Sequence, residues 1–180
     1  MGSIRIRRGV VADATALAAL AASTFRDAFG ADNSPEDLQM HLASSYGPAQ
    51  QSAELTDPNM ITLLAHDGDV LLAFAQLRRG VAPACVTAVR AVEVRRLYVD
   101  KAVHGKGVAQ ALMAATFAVT ADFDGMHVWL SVWERNPRAM AFYRKMGFAD
   151  VGETHFYVGS DRQTDRVFVA ALPAAVSLAT

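Results

Sequence analysis

One stretch past the middle of the chain constrains the fold more than any other: Arg96-Leu97-Tyr98-Val99-Asp100-Lys101-Ala102-Val103-His104-Gly105-Lys106-Gly107-Val108-Ala109. A strand pattern, Val92 to Val99, runs into a turn with two glycines. The turn opens directly into Val108, Leu112, Ala115 and Val119, which follow helical spacing to about Ala121. The first amides of such a helix have no internal acceptors and carry the positive end of its dipole, so they can receive a phosphate. Gly105 and Gly107 remove the Cβ atoms that would hold an anion off the backbone, and Lys106 adds a cation unless it turns to solvent.

Two familiar phosphate sites fit this stretch badly. A dinucleotide fold needs its glycine turn after the first strand of a βαβ unit and an acid about 20 residues on. Here the turn lies late, and the acids at roughly that distance, Asp122 and Asp124, fall before the next strand. A P-loop needs Gly-Lys-Ser/Thr, which the segment lacks. Taken alone, the segment could also be a tight strand-to-helix turn with no ligand.

The remaining pattern is one of alternating elements. Ile4 to Arg8 alternates with period two, as a half-buried strand does. Asp13 is placed to cap the alanine-rich run Ala14 to Ala22. Ser34-Pro35-Glu36-Asp37 has the form of a helix start, Leu38 and Leu42 share a face, and Gly47-Pro48 ends that helix before a short one to about Leu55. Met60 to His66 and Val70 to Arg78 flank Asp67-Gly68-Asp69, a tight-turn signal for a hairpin. Val81 to Ala91 resists assignment because Pro83 argues against a central strand. His127 to Trp133 reads as a strand. Asn136-Pro137 opens a helix with Ala139, Phe142, Tyr143 and Met146 on one side and Gly147 as its stop. Two last strands, near Phe148 to Val158 and Arg166 to Leu172, are expected to flank a polar loop. With no repeat, linker or low-complexity tract, the order predicts a single domain over residues 1–180. Its class is α/β, with a mixed, mostly antiparallel sheet flanked by helices on both faces.

Composition narrows the partners. The 180 residues carry a net charge of -1, so no general field attracts nucleic acid or an anionic membrane. No run of about 20 apolar residues is present to span a bilayer. Met1 to Val10 has no secretory pattern. The single cysteine, Cys85, cannot form an internal disulfide, and nothing around it supplies a base for covalent catalysis, so it reads as a small hydrophobe. The five histidines have no metal-ligand spacing, and no metal is expected. A cytoplasmic location follows as the expectation.

Residues 96–113, RLYVDKAVHGKGVAQALM, resemble motif A of the GNAT superfamily of N-acetyltransferases, whose Arg/Gln-x-x-Gly-x-Gly/Ala pattern falls on His104, Gly107 and Ala109. His104 departs from the pattern, which leaves its backbone amide but removes the usual side-chain contact. Residues 129–148, WLSVWERNPRAMAFYRKMGF, are similar to the family's motif B. The segments from Val132 to Asp165 and from Thr24 to Leu42 resemble the spermidine/spermine, PaiA-like branch.

The resemblance implies the GNAT acyltransferase fold, with acetyl-CoA as co-substrate and no metal. Its implied cofactor-binding residues are Leu97, Tyr98, Val99, His104, Gly105, Lys106, Gly107, Val108, Ala109, Asn136, Ala139, Tyr143 and Lys145. The amides of Leu97 and Val99 would pair with the pantetheine arm like a neighbouring strand. Asn136 would serve that arm as well as capping its helix. Tyr143 would stand beside the sulfur as general acid, against the plainer reading of a core aromatic.

Direct attack by an amine needs the neutral nucleophile. An aliphatic amine near pKa 10.4 is only about one part in 2,500 neutral at pH 7, a penalty of roughly 4.6 kcal/mol. Glu93, on the strand leading into the glycine turn, is the candidate base, acting directly or through water. Its plainer reading is a strand carboxylate paired with Arg95 or Arg96.

For the acceptor, Asp27, Asp32, Glu36, Asp37 and Glu54, with Phe25, Phe29 and Tyr46, offer acids and aromatic faces suited to a polyamine or other small primary amine. A protein N-terminus, an amino acid or an aminoglycoside is the alternative acceptor. A non-catalytic acyl-CoA sensor is the alternative of another class, and the resemblance also admits a homodimer.

Overall fold

The computed structural model describes residues 3–172. Its strands are Ile4–Arg8 (β1), Met60–Asp67 (β2), Val70–Arg78 (β3), Ala91–Val99 (β4), His127–Trp133 (β5), Ala149–Val158 (β6) and Asp161–Ala171 (β7). Its helices are Ala14–Phe29 (α1), Pro35–Ser45 (α2), Pro48–Thr56 (α3), Val108–Thr120 (α4) and Pro137–Lys145 (α5). The strands form one sheet in the order β1-β2-β3-β4-β5-β7-β6. Every neighbouring pair is antiparallel except β4 with β5.

Helices cover both faces, as expected. Leu63, Ala73, Ala75, Leu77, Val92 and Leu112 bury α4 against one face. Leu17, Phe25, Tyr46, Leu64 and Phe74 bury α1 and its neighbours against the other. On the α4 face, Tyr143 and Phe148 seat α5 over Val94, Leu130, Val132 and Phe168.

The local signals mostly act as read. Ser34 accepts from the Asp37 amide at 3.1 Å with Pro35 in the first turn, and Gly68 turns the β2–β3 hairpin at φ +58°. Two readings need correction. Asp13 makes no cap bond to α1; its carboxylate takes Arg7 at 2.7 Å and the Val10 amide at 2.8 Å, and α1 runs on to Phe29. The polar loop expected before Arg166 is strand from Asp161 onward. Gly159, at φ +60°, lets a two-residue turn reverse the chain, and Asp37 pins that turn by accepting from the Ser160 amide at 2.7 Å and its hydroxyl at 2.9 Å. Gln163 and Asp165 in this strand are polar yet face inward, which hid it from a hydrophobic pattern.

Two features of β4 position the site. Its ladder with β5 covers only Ala91–Glu93 against His127–Trp129. Beyond Glu93, β4 keeps β3 on one edge, β5 keeps β7, and a cleft opens between them. Second, the β3–β4 register slips between Gln76 and Leu77, which face Arg96 and Val94, so Arg95 is an extra residue. A one-residue bulge inverts the alternation beyond it. Leu97 therefore joins Val92 and Val94 in the cores beneath α4 and α5, while Arg96 and Tyr98 turn to the α1 face.

Candidate functional site

The cleft at the β4–β5 split encloses about 1040 Å³. Its upper rim is the glycine turn, where Gly105 and Gly107 sit at φ +77° and +83°. A Cβ on either would meet no protein atom within 4 Å, so the backbone angle, not crowding, demands glycine there. Gly107 opens α4 without a side-chain cap, leaving the first-turn amides to the cleft. His104 folds its ring back, with Nε2 2.9 Å from the Val99 carbonyl.

The structure gathers most of the sequence candidates here. Glu93, Leu97, Tyr98, Val99, His104, Gly105, Gly107, Val108, Ala109, Asn136, Ala139 and Tyr143 all line the cleft. Lys106 and Lys145 do not. The Lys106 ammonium donates to the Ala102 carbonyl at 2.9 Å instead.

The two faces of the sheet contribute differently. Asn136 accepts from the Ala139 amide at 3.0 Å, capping α5 and fixing the helix that carries Tyr143. The Tyr143 ring is buried between Phe148 and Phe168, and that burial pushes its phenol up to about 12. Residues alternate along β5. Val128, Leu130 and Val132 pack with Tyr143, so Trp129, Ser131 and Trp133 face the α1 side. Glu93, in register with Trp129 and Arg78, shares that side. Its carboxylate receives Arg78 Nε at 2.6 Å, so its partner is on β3 and not Arg95 or Arg96. Beside it, the buried Trp129 indole nitrogen has no acceptor among the described residues.

The acids expected on an acceptor wall separate. Asp27 and Asp32 line the cleft with Phe25, Phe29 and Tyr46, although Asp27 also pairs with Lys101 at 2.8 Å. Asp37 holds the β6–β7 turn. Glu54 is buried beneath the wall and binds Arg96 at 2.5 Å, with Gln76 donating to the same oxygen at 3.0 Å. Burial pushes the Glu54 carboxyl up, but the Arg96 guanidinium together with hydrogen bonds from Gln50 and Gln76 outweighs it, leaving it below its ordinary value.

Sequence reasoning missed Ser131 and Asp165. Ser131 Oγ donates to Asp165 Oδ2 at 2.8 Å in the cleft wall. Burial, with Glu134 adding like charge, raises the Asp165 carboxyl despite that hydrogen bond. Only the β5–β7 pairing, which sets Trp133 opposite Asp165, brings it to the site. Among the described residues no cluster of three or more His, Cys, Asp or Glu is arranged to hold a metal, and no helix is long and apolar enough to cross a membrane.

The model of the acetyltransferase (GNAT) family matches residues 18–148. An uncharacterized N-acetyltransferase of Mycobacterium tuberculosis is 37% identical over 161 residues, covering 89% of this chain and 98% of its own. One from Lactobacillus delbrueckii subsp. lactis is 31% identical over 157 residues, covering 86% and 89%. Among solved structures, the PaiA N-acetyltransferase of Thermoplasma acidophilum in complex with coenzyme A superposes with a TM-score of 0.76 at 18% identity, covering 94% of this chain and 99% of that one.

Proposed function

The chain belongs to the GNAT family of acetyl-CoA-dependent N-acetyltransferases, and from that premise we propose that it acetylates a small primary amine, a polyamine in the first place, by direct attack in a ternary complex. The observation that carries this reading is the two-sided cleft. Anion-binding backbone and Tyr143 reach it from the α4 and α5 face, while Glu93, aromatics and acids reach it from the α1 face.

In this reading, the diphosphate of acetyl-CoA sits on the Gly105–Ala109 turn and the N-terminus of α4. The pantetheine arm lies along the edge of β4 that β5 leaves free, and the amides of Leu97 and Val99 serve it. An amide there polarises the thioester carbonyl and stabilises the oxyanion as the amine attacks. Asn136 and Ala139 hold the arm from α5. The amine enters from the α1 side, and its proton leaves through Glu93, by way of water. Arg78 holds that carboxylate in place. The departing thiolate receives a hydrogen bond from Tyr143.

Full proton transfer from the phenol is unfavourable. With the phenol at about 12 and a thiol near 8.5, it costs roughly 5 kcal/mol. A hydrogen bond that strengthens as charge develops on sulfur is the contribution this tyrosine makes. The whole chain acts as one catalytic domain, in the cytoplasm.

The test is release of free thiol from acetyl-CoA with spermidine, spermine, putrescine, an aminoglycoside and a peptide N-terminus offered at equal concentration. Preference for a polyamine is the expected result. Preference for either of the last two keeps the reaction and discards the acceptor. Tight coenzyme binding with no turnover on any amine would leave only a binding module.

A further inference from the structure

Asp165 presents a physical problem that the reaction as described does not use. Asp165 is 6% exposed as a residue, lines the cleft and makes no ion pair among the described residues. Ser131 satisfies one oxygen at 2.8 Å, and the other has no hydrogen-bond donor among those residues. Glu134 acts on it with a charge of like sign. A buried carboxylate without a cation is a costly arrangement that natural sequences seldom keep without a use.

Its surroundings indicate what completes it. Phe29 and Trp133 lie 5.8 Å apart, and with Phe156 they line the same cleft as Asp165. Aromatic faces of this kind accept a methylene chain and its terminal ammonium. Asp165 is also remote from Glu93. Glu93 is level with Trp129, whereas Asp165 is level with Trp133, four residues and about 13 Å further along β5, and one strand beyond it. One amino group cannot serve both carboxylates at once.

We propose that Asp165 is a specificity-determining residue that binds a second, non-reacting ammonium of the acceptor, so that the preferred substrate is a diamine or polyamine rather than a monoamine. The proposal rests on the amine-acetyltransferase reading of the same cleft and extends it by naming the group that measures the acceptor's far charge. Ser131 is a positioning residue that holds the carboxylate toward the bound cation.

The experiment compares putrescine with butylamine, a monoamine of the same chain length, in the wild type and in Asp165→Asn, which keeps an acceptor for Ser131. The variant's kcat/KM for putrescine should fall at least about tenfold further than for butylamine, the scale of a lost buried charge pair. The KM for acetyl-CoA should not move with it. An unchanged ratio between the two amines overturns the assignment. Thermal melting of both proteins without ligand provides a folding control. Asp165→Asn should melt no lower than the wild type, because it removes an uncompensated buried charge, and a clear loss of stability would mark the residue as structural and overturn the proposal. Should the wild type release no thiol with any amine, the catalytic reading falls separately. Calorimetric binding of putrescine then decides the matter: about tenfold weaker binding in the variant upholds the proposal, and equal or absent binding in the two proteins overturns it.

Discussion

Tyr143 shows how little of a residue's chemistry is fixed by its type. The same phenol that fills the core against Phe148 and Phe168 also lines the cleft, and its burial keeps it protonated. With its phenol raised to about 12, it stays almost fully protonated up to about pH 10. The rate should therefore show no alkaline limb from this residue up to about pH 10. Tyr143→Phe should lower kcat about 10- to 100-fold across the whole profile, a barrier increase of roughly 1.4–2.7 kcal/mol, with coenzyme affinity changed less than threefold. Steady-state kinetics with coenzyme binding measured in parallel checks both halves, and an unchanged kcat would return Tyr143 to the core. At this scale the sequence was legible where a residue sits inside a motif, as Tyr143 and Asn136 do. Asp165 was not, because nothing within its own neighbourhood of the chain announces Ser131 or Trp133, 34 and 32 residues away.

The elements are held around the cleft by a polar network that no local pattern foretells. Arg96 from β4, Gln76 from β3 and Glu54 from α3 meet in a buried cluster, with the guanidinium also 4.9 Å from the Tyr46 ring. The bulge at Arg95 makes this possible, since without the extra residue Arg96 would point under α4. The sequence does carry a trace of it. In Val92-Glu93-Val94-Arg95-Arg96-Leu97-Tyr98-Val99 the apolar phase shifts by one at the paired arginines. Reading that as a bulge needs the partner strand. Removing one partner of a buried pair strands the other, so Glu54→Gln should destabilise the fold by about 3 kcal/mol in urea unfolding. Replacing both, as Glu54→Leu with Arg96→Met, should recover most of that loss. A double variant as unstable as the single one would mean the charges themselves, and not their mutual compensation, hold α3 to the sheet.

Across the molecule, depressed and raised carboxyls pull stability in opposite directions with pH. Arg7, above all by hydrogen bonding, holds Asp13 down at about 2, and the Val10 amide adds to it. A group lowered in the folded state stabilises fully above its unfolded value near 3.9, and that stability is lost as pH falls toward 2. Solvent screening limits the pair, which ties β1 to the turn before α1, to about 1 kcal/mol. Asp13→Asn should therefore be less stable than the wild type by about that much at pH 7, with most of the gap closed at pH 2 and all of it by about pH 1, by chemical denaturation at each pH.

The fold as a whole has an open seam where β4 and β5 part, and a ligand that closes the seam must stabilise the entire sheet. The strands on either side, β1 to β4 and β5 to β7, are joined through a ladder of only three residue pairs. On the proposed reading, a coenzyme bridging the glycine turn, β4 and α5 would add binding energy to the folded state alone. At a hundred times its dissociation constant it contributes about 2.7 kcal/mol. For a chain of 180 residues that corresponds to a rise in Tm of about 5–11 °C. Coenzyme A should give this shift, while 3′-phospho-ADP, which keeps the diphosphate and lacks only the pantetheine arm, should give clearly less at the same multiple of the coenzyme's dissociation constant. Equal shifts at that common concentration would mean that the turn alone holds the ligand and that the parted strands contribute no contact to it.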